Sequence, residues 1–246
     1  MPIGQLELRD VTLELAGRPV IGGLSLTVAP NDLVTVMGPS GSGKSSLLAF
    51  ICGTLDPAFQ STGSLRLDGV EITGLPPERR RVGILFQDDL LFPHLSVAEN
   101  LAFGLPSSIT GRPARTARIE QALAEADLAG FGARDPATLS GGQRTRVALL
   151  RTLLAEPRAL LLDEPFAKLD VTLRDRFRRF VFDHARAQGL PTLLVTHDPA
   201  DAEAAAGPVV ELAAAGARPA TRPTTRPATR PGTRPEPGIA VPRPAR

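Results

Sequence analysis

Apolar and polar residues interleave over residues 6–14 and again over 20–28, the short-period pattern of strands with one buried face. Leu33-Val34-Thr35-Val36-Met37 is a nearly continuous apolar run, as a strand buried on both faces requires. Ser45-Ser46-Leu47-Leu48-Ala49-Phe50 reads as a helix start, and Ser64-Leu65-Arg66-Leu67 and Val70-Glu71-Ile72 read as strands around an Asp68-Gly69 turn. From about residue 88 to residue 152 the period becomes helical. Residues 117–127 and 144–154 are the clearest pieces; in the second, Val147, Leu150, Leu153 and Leu154 recur at helical spacing. Strands return at Ala159-Leu160-Leu161-Leu162 and at Leu193-Leu194-Val195, so the pattern predicts an α/β fold. No internal repeat divides it, so it is a single unit.

The chemistry begins at the end of the third strand. Gly38-Pro39-Ser40-Gly41-Ser42-Gly43-Lys44-Ser45 fits G-x-x-x-x-G-K-[ST] and lies between a strand and a helix, as that motif requires. Gly38, Gly41 and Gly43 let backbone N–H groups turn toward phosphate oxygens, and the helix start adds its positive dipole end. Lys44 is placed to neutralise the β and γ phosphates, and Ser45 to put a hydroxyl on Mg²⁺, with Ser46 beside it. The alternative, a flexible Gly/Ser loop with a solvated lysine, does not explain the flanking strand and helix.

Two further segments share this chemistry. Asp163 and Glu164 end a buried strand at its carboxyl edge, where ligands of parallel sheets bind. Asp163 suits Mg²⁺ and Glu164 suits the water that attacks the γ-phosphate; adjacent residues alternate in direction, so each can take its own partner. Leu139-Ser140-Gly141-Gly142-Gln143, 95 residues after Lys44, precedes the helix predicted at 144–154 and forms a second anion cradle at a helix N-terminus.

These residues resemble the nucleotide-binding subunit of the ATP-binding cassette (ABC) superfamily, over residues 3–212. The motifs arrive in the family's order: the Walker A loop at 38–45, Gln87 in Leu85-Phe86-Gln87-Asp88, the signature at 139–143, the Walker B strand at 160–164, Leu169-Asp170 in the D-loop position, and His197 in Val195-Thr196-His197-Asp198. The resemblance implies the ABC ATPase fold, a RecA-like P-loop NTPase core with an antiparallel β subdomain and an inserted α-helical subdomain. It implies a cassette at 1–215, with core 1–87 and 153–215 and helical subdomain 88–152. It also implies a head-to-tail pair of cassettes, in which each ATP lies between one chain's Walker A loop and its partner's Ser140, Gly141, Gly142 and Gln143. Glu164 is then the general base, Gln87 senses Mg²⁺ and the attacking water, His197 contacts the γ-phosphate, and Asp170 belongs to the nucleotide site.

Two positions depart from the family pattern. An aromatic residue usually stacks on adenine near the end of the first hairpin, and Leu15 stands there; the chain has no Tyr and no Trp. An aliphatic contact loses about 0.5–1.5 kcal/mol of ring–ring attraction, which implies weaker and less base-selective ATP binding. In Ala167-Lys168-Leu169-Asp170, a lysine occupies a place where a small residue is common.

Phe86-Gln87-Asp88-Asp89-Leu90-Leu91-Phe92-Pro93-His94-Leu95-Ser96-Val97-Ala98-Glu99-Asn100-Leu101 looks like the stretch of prokaryotic solute importers that faces the permease, and exposed Leu91 and Phe92 suit a docking groove. Within the importers, Gly83-Ile84-Leu85-Phe86-Gln87-Asp88 and the run 135–144 resemble the YnjD-type branch. Implied partners are membrane permease subunits and a periplasmic or surface solute-binding protein. The alternatives are an exporter or lipoprotein-release ATPase, and a soluble non-transport ABC ATPase; the long coiled-coil insertion or second cassette usual in the latter is missing.

Composition is that of an ordinary globular chain of 246 residues, 42% hydrophobic and 22% charged. Cys52 is the single cysteine, which excludes an internal disulfide and fits a reducing cytosol. No basic-then-apolar leader opens the chain and no apolar run approaches 18 residues, so a cytoplasmic protein held on the inner face of the membrane by a partner is expected. From residue 216, Arg-Pro recurs at 218, 222, 226, 230 and 234, a low-complexity composition expected to be a disordered tail. Its seven arginines against Glu236 give it +6, so the body, with 21 basic and 25 acidic residues, carries −4. The basic pI belongs to the tail, and no nucleic-acid partner is expected for the fold.

Overall fold

The computed structural model describes residues 4–167, 169 and 171–213; the Arg-Pro stretch at 216–246 and Asp170 lie outside the described residues. Strands β1 (Leu6–Leu15), β2 (Arg18–Val28), β3 (Leu33–Met37), β4 (Phe59–Leu67), β5 (Val70–Glu71), β6 (Val82–Leu85), β7 (Ala159–Asp163), β8 (Thr192–Val195) and β9 (Val209–Glu211) form two sheets. One is four-stranded and antiparallel, in the order β2-β1-β4-β5; the other is five-stranded and parallel, in the order β6-β7-β8-β3-β9. The helices are α1 (Lys44–Cys52), α2 (Pro77–Arg80), α3 (Val97–Ala102), α4 (Arg112–Glu125), α5 (Gly141–Leu154), α6 (Val171–Ala187) and α7 (Pro199–Ala205).

The hydrophobic pattern explains this division. β3, β7 and β8 are largely apolar runs; β8 is buried throughout and β3 and β7 are buried except at their last residue, as the middle of a covered parallel sheet must be. β1 alternates, but with a phase slip: a register shift against both neighbours follows Leu8, and Asp10 takes a left-handed φ of 47°. This bulge keeps Leu6, Leu8, Val11 and Leu13 on the buried face. It is tolerated because Gly63 faces it from β4, where a Cβ would stand 2.6 Å from the carbonyl oxygens of Arg9 and Asp10.

Three apolar clusters follow. The antiparallel sheet and α1 share the first, with one face of the parallel sheet. The second lies under the other face and contains Phe166, with Phe177 and Phe182 edge-on to it at 6.2 and 5.7 Å. The third joins α3, α4 and α5 through Leu101, Leu123, Val147 and Leu150.

Two elements begin earlier than their apolar pattern. β4 starts at Phe59 rather than near 64, because Gln60, Ser61 and Thr62 pair with β1 although their side chains are exposed. α5 starts at Gly141 rather than 144, because Ser140 caps it: the Ser140 hydroxyl accepts from the Gln143 N–H (3.3 Å) and the Gln143 side chain accepts from the Ser140 N–H (2.9 Å). A reciprocal cap lets Gly141 and Gly142 occupy the first turn despite their low helix propensity. α6, unmarked in the sequence reading, lays Phe177, Val181, Phe182 and Ala185 on the second cluster at helical spacing.

Candidate active site

The cleft lies at the carboxyl ends of β3 and β7, where a parallel sheet presents loop amides and strand-end side chains to a ligand. β3 runs into the Gly38–Gly43 loop, which delivers the chain into α1. Gly41 and Gly43 have φ of 79° and 89°. At Gly43 glycine is required twice, for that left-handed backbone and because a Cβ would lie 2.7 Å from Val20 of β2.

α1 opens with no side-chain cap and no acid in its first turn. Among the described residues no side chain caps its first N–H groups, and an anion suits them. Lys44 Nζ donates to the carbonyls of Gly38 (2.8 Å) and Pro39 (2.9 Å), which holds the cation across the loop.

Asp163 ends β7 with its Oδ2 accepting from the Ser45 hydroxyl at 3.3 Å. Burial pushes the Asp163 carboxyl above the usual carboxylate range, and the Ser45 hydroxyl draws it partly back. Next to it the chain turns: Glu164 adopts φ 47° while its N–H donates to Val195 O at 2.9 Å, which aims its side chain away from Asp163. Glu164 Oε1 lies 3.0 Å from His197 Nδ1. The two acids thus face different partners, by a left-handed turn rather than by strand alternation.

A cleft of about 410 Å³ gathers Leu15, Ser40, Gly41, Gly43, Lys44, Ser45, Ser46, Gln87, Asp163 and Glu164, together with Val20 and Phe59. Gly38, Pro39 and Ser42 belong to the loop behind it, with Ser42 buried and Leu15 39% exposed. His197 reaches the site through Glu164. Ser140, Gly141, Gly142 and Gln143 do not line this cleft; Ser140 caps α5 and the other three form its first turn, with Ser140 exposed.

Several residues to which the motifs assign no role position the site. Thr196 donates to Asp201 Oδ2 (2.9 Å), Asp198 caps α7 and binds Arg174 (2.8 Å), and buried Arg178 pairs with Asp201 (2.7 Å); together they fix the turn that holds His197. Asp89 accepts from Arg144 Nε at 3.0 Å, and Arg144 donates to Leu139 O at 2.8 Å, which ties the segment after Gln87 to the Ser140 loop. Asp89 and Arg144 are 55 residues apart, and only the fold reveals that pair.

An oxygen donor set from Ser45, Asp163 and Gln87, next to an anion cradle, fits a hard divalent cation with a phosphate chain. Fold and cleft together define a P-loop nucleotide-hydrolysing cassette.

Comparison with known proteins specifies it further. The chain belongs to the ABC transporter family, whose profile matches residues 21–167. It is 49% identical over 197 residues to the uncharacterized ABC transporter ATP-binding protein YnjD of Escherichia coli, covering 80% of this chain and 90% of that one. It is 44% identical over 198 residues to the taurine import ATP-binding protein TauB of Pseudomonas fluorescens, covering 80% and 73%. Against the spermidine/putrescine import ATP-binding protein PotA of Pseudomonas aeruginosa the identity is 41%, and the match spans 53% of that longer relative. Among solved structures, the dimeric structure of MJ0796, a bacterial ABC transporter cassette, aligns with TM-score 0.73 and 28% identity over 85% of this chain and 94% of that one. The same cassette in a post-hydrolysis state bound to ADP and Pi aligns with TM-score 0.72 and 29% identity, covering 84% and 94%. The chain is an ATP-binding ATPase cassette with the ABC ATPase fold.

Proposed function

We propose that this chain is the ATP-hydrolysing subunit that drives solute import through a separate membrane permease, working as one of two cassettes paired head to tail. The observation that carries this reading is the split of the two anion cradles: Lys44 and Glu164 line one cleft, and Ser140–Gln143 of the same chain, at the start of α5, do not line it. A second cassette turned head to tail brings its Ser140 loop over the first cassette's cleft.

In this reading the triphosphate takes the Lys44 ammonium from the carbonyls of Gly38 and Pro39. Ser45, Asp163 and Gln87 would hold Mg²⁺, which when bound would neutralise charge on the phosphates. Glu164 accepts the proton of the attacking water, and His197 orients the Glu164 carboxylate and faces the γ-phosphate. The Ser140 hydroxyl and the α5 amides of the partner cassette bind the same phosphate from the other side. Asp170 and Ser46 complete the nucleotide site.

The helical unit at 88–152 moves against the core at 1–87 and 153–215, with Gln87 as the joint and Asp89–Arg144 as the link to the signature loop. Beside that joint lies an apolar groove of about 530 Å³ whose lining includes Phe86, Leu90, Phe92, Phe103 and Arg151. Phe103 is 67% exposed and Leu90 57%. Leu91 packs instead against the second and third clusters, so Leu90 takes the role first assigned to it. The occupant we assign is a short cytoplasmic helix of the permease, because the groove adjoins the nucleotide joint and among the described residues no helix is long and apolar enough to cross a membrane. The cassette then sits peripherally on the inner face of the membrane, and a periplasmic or surface solute-binding protein delivers cargo to the permease. Residues 216–246 are an extension, and deleting 217–246 leaves hydrolysis intact.

The test is purification of Glu164→Gln from membranes with ATP present, followed by identification of the chains that come with it. A polytopic permease is expected; recovery of ribosomes or DNA-bound factors without one overturns the transport reading.

A further inference from the structure

The nucleotide cleft has two chemically different ends. Lys44, Ser45 and the loop amides form a polar end, and Leu15, Val20 and Phe59 form an apolar one. Phe59 is the one aromatic side chain lining the cleft among the described residues, in a chain with no Tyr or Trp. It opens β4 directly opposite Leu15, the last residue of β1, so the two side chains leave the same face of the sheet as close cross-strand neighbours.

Its placement is built rather than incidental. The Phe59 N–H donates to Asp56 O (3.0 Å), Asp56 Oδ1 accepts from the Ala58 N–H (2.8 Å), and the Thr54 N–H donates to Ala49 O in α1 (2.9 Å). One short turn therefore connects the helix that begins at the phosphate cradle to the ring at the far end of the same cleft. Phe59 is half-buried, packing on the first core cluster while lining the cleft.

We propose that Phe59, rather than Leu15, supplies the aromatic face on which the nucleotide base stacks. The proposal rests on the ATP-site reading above. Every base offers a π-face, so a single stacking ring with an aliphatic neighbour favours nucleotides over free phosphates without selecting strongly among purines.

The test is calorimetric binding of ATP, GTP and inorganic tripolyphosphate to wild type, Phe59→Ala, Phe59→Trp and Leu15→Ala. Phe59→Ala is expected to weaken ATP and GTP about tenfold each, within the range a base–aromatic stack is worth, and to leave tripolyphosphate unchanged. Phe59→Trp keeps ATP affinity, and its emission is quenched by ATP but not by tripolyphosphate. ATP binding to Phe59→Ala at wild-type strength, equal loss of tripolyphosphate, or an unquenched Phe59→Trp overturns the assignment; the last result does so even if the alanine variant fails to fold. Failure of the nucleotide-site reading is distinguishable, because then wild type itself binds none of the three ligands.

Discussion

His197 Nδ1 and Glu164 Oε1 lie 3.0 Å apart, joining the ends of two neighbouring parallel strands over the nucleotide cleft. The histidine is 67% exposed and the glutamate 21%, so the pair is a largely covered carboxylate with a solvent-facing imidazole against it. Removing the carboxylate's basicity while keeping its shape therefore isolates its chemical role.

Glu164→Gln should bind ATP as wild type does and lose turnover by about 10²–10⁴-fold, the contribution of a positioned general base. Steady-state phosphate release read beside nucleotide affinity checks this. Unchanged turnover removes Glu164 from that role.

Lys44→Ala and Ser140→Arg should separate the two cradles. The first removes the cation of the chain's own cleft and should weaken ATP binding by the monomer at least tenfold, as loss of a charge-assisted contact implies. The second places a bulky cation at the exposed cap of α5, outside the chain's own cleft, and should spare monomer binding while abolishing hydrolysis. Equal loss of monomer binding in both contradicts the two-chain site.

Arg80 should matter for stability rather than for chemistry. Its buried guanidinium donates to four carbonyls, those of Phe50 and Ile51 at the end of α1 and of Thr73 and Leu75 beyond β5. Arg80→Met removes all four of these bonds, with only the Phe50 carbonyl keeping a backbone donor among the described residues, that of Gly53 (3.2 Å), and should lower unfolding free energy by about 2–4 kcal/mol in denaturant titration.

The groove makes a separable claim. Leu90→Ser with Phe92→Ser should leave ATPase activity of the isolated cassette within about twofold, since surface changes away from a site are usually small, and should abolish co-purification with the permease. Retained permease binding moves the docking surface elsewhere.

The sequence was most legible where chemistry and backbone coincide. Gly43, Lys44 and Ser45 announce a phosphate loop because strand, turn and helix leave matching local signals, and Asp163 is marked by the apolar run before it. Legibility failed where position depends on distant pairing. Phe59 sits in a polar stretch that becomes a strand only by pairing with β1, so nothing local marks its ring as part of the cleft. Asp89 and Arg144 are 55 residues apart, and their ion pair exists only because α5 packs beside the segment after Gln87. Gly141 and Gly142 read as loop because propensity disfavours them in helices, yet the Ser140–Gln143 cap draws them into α5.

The most direct test of the account is the solution mass of Glu164→Gln by light scattering, with and without ATP and Mg²⁺. The account predicts that ATP doubles the mass from one chain to two, with one nucleotide trapped per chain, and that adding Ser140→Arg to the same protein restores the single-chain mass. A nucleotide-loaded chain that stays monomeric, or a dimer indifferent to Ser140→Arg, contradicts it.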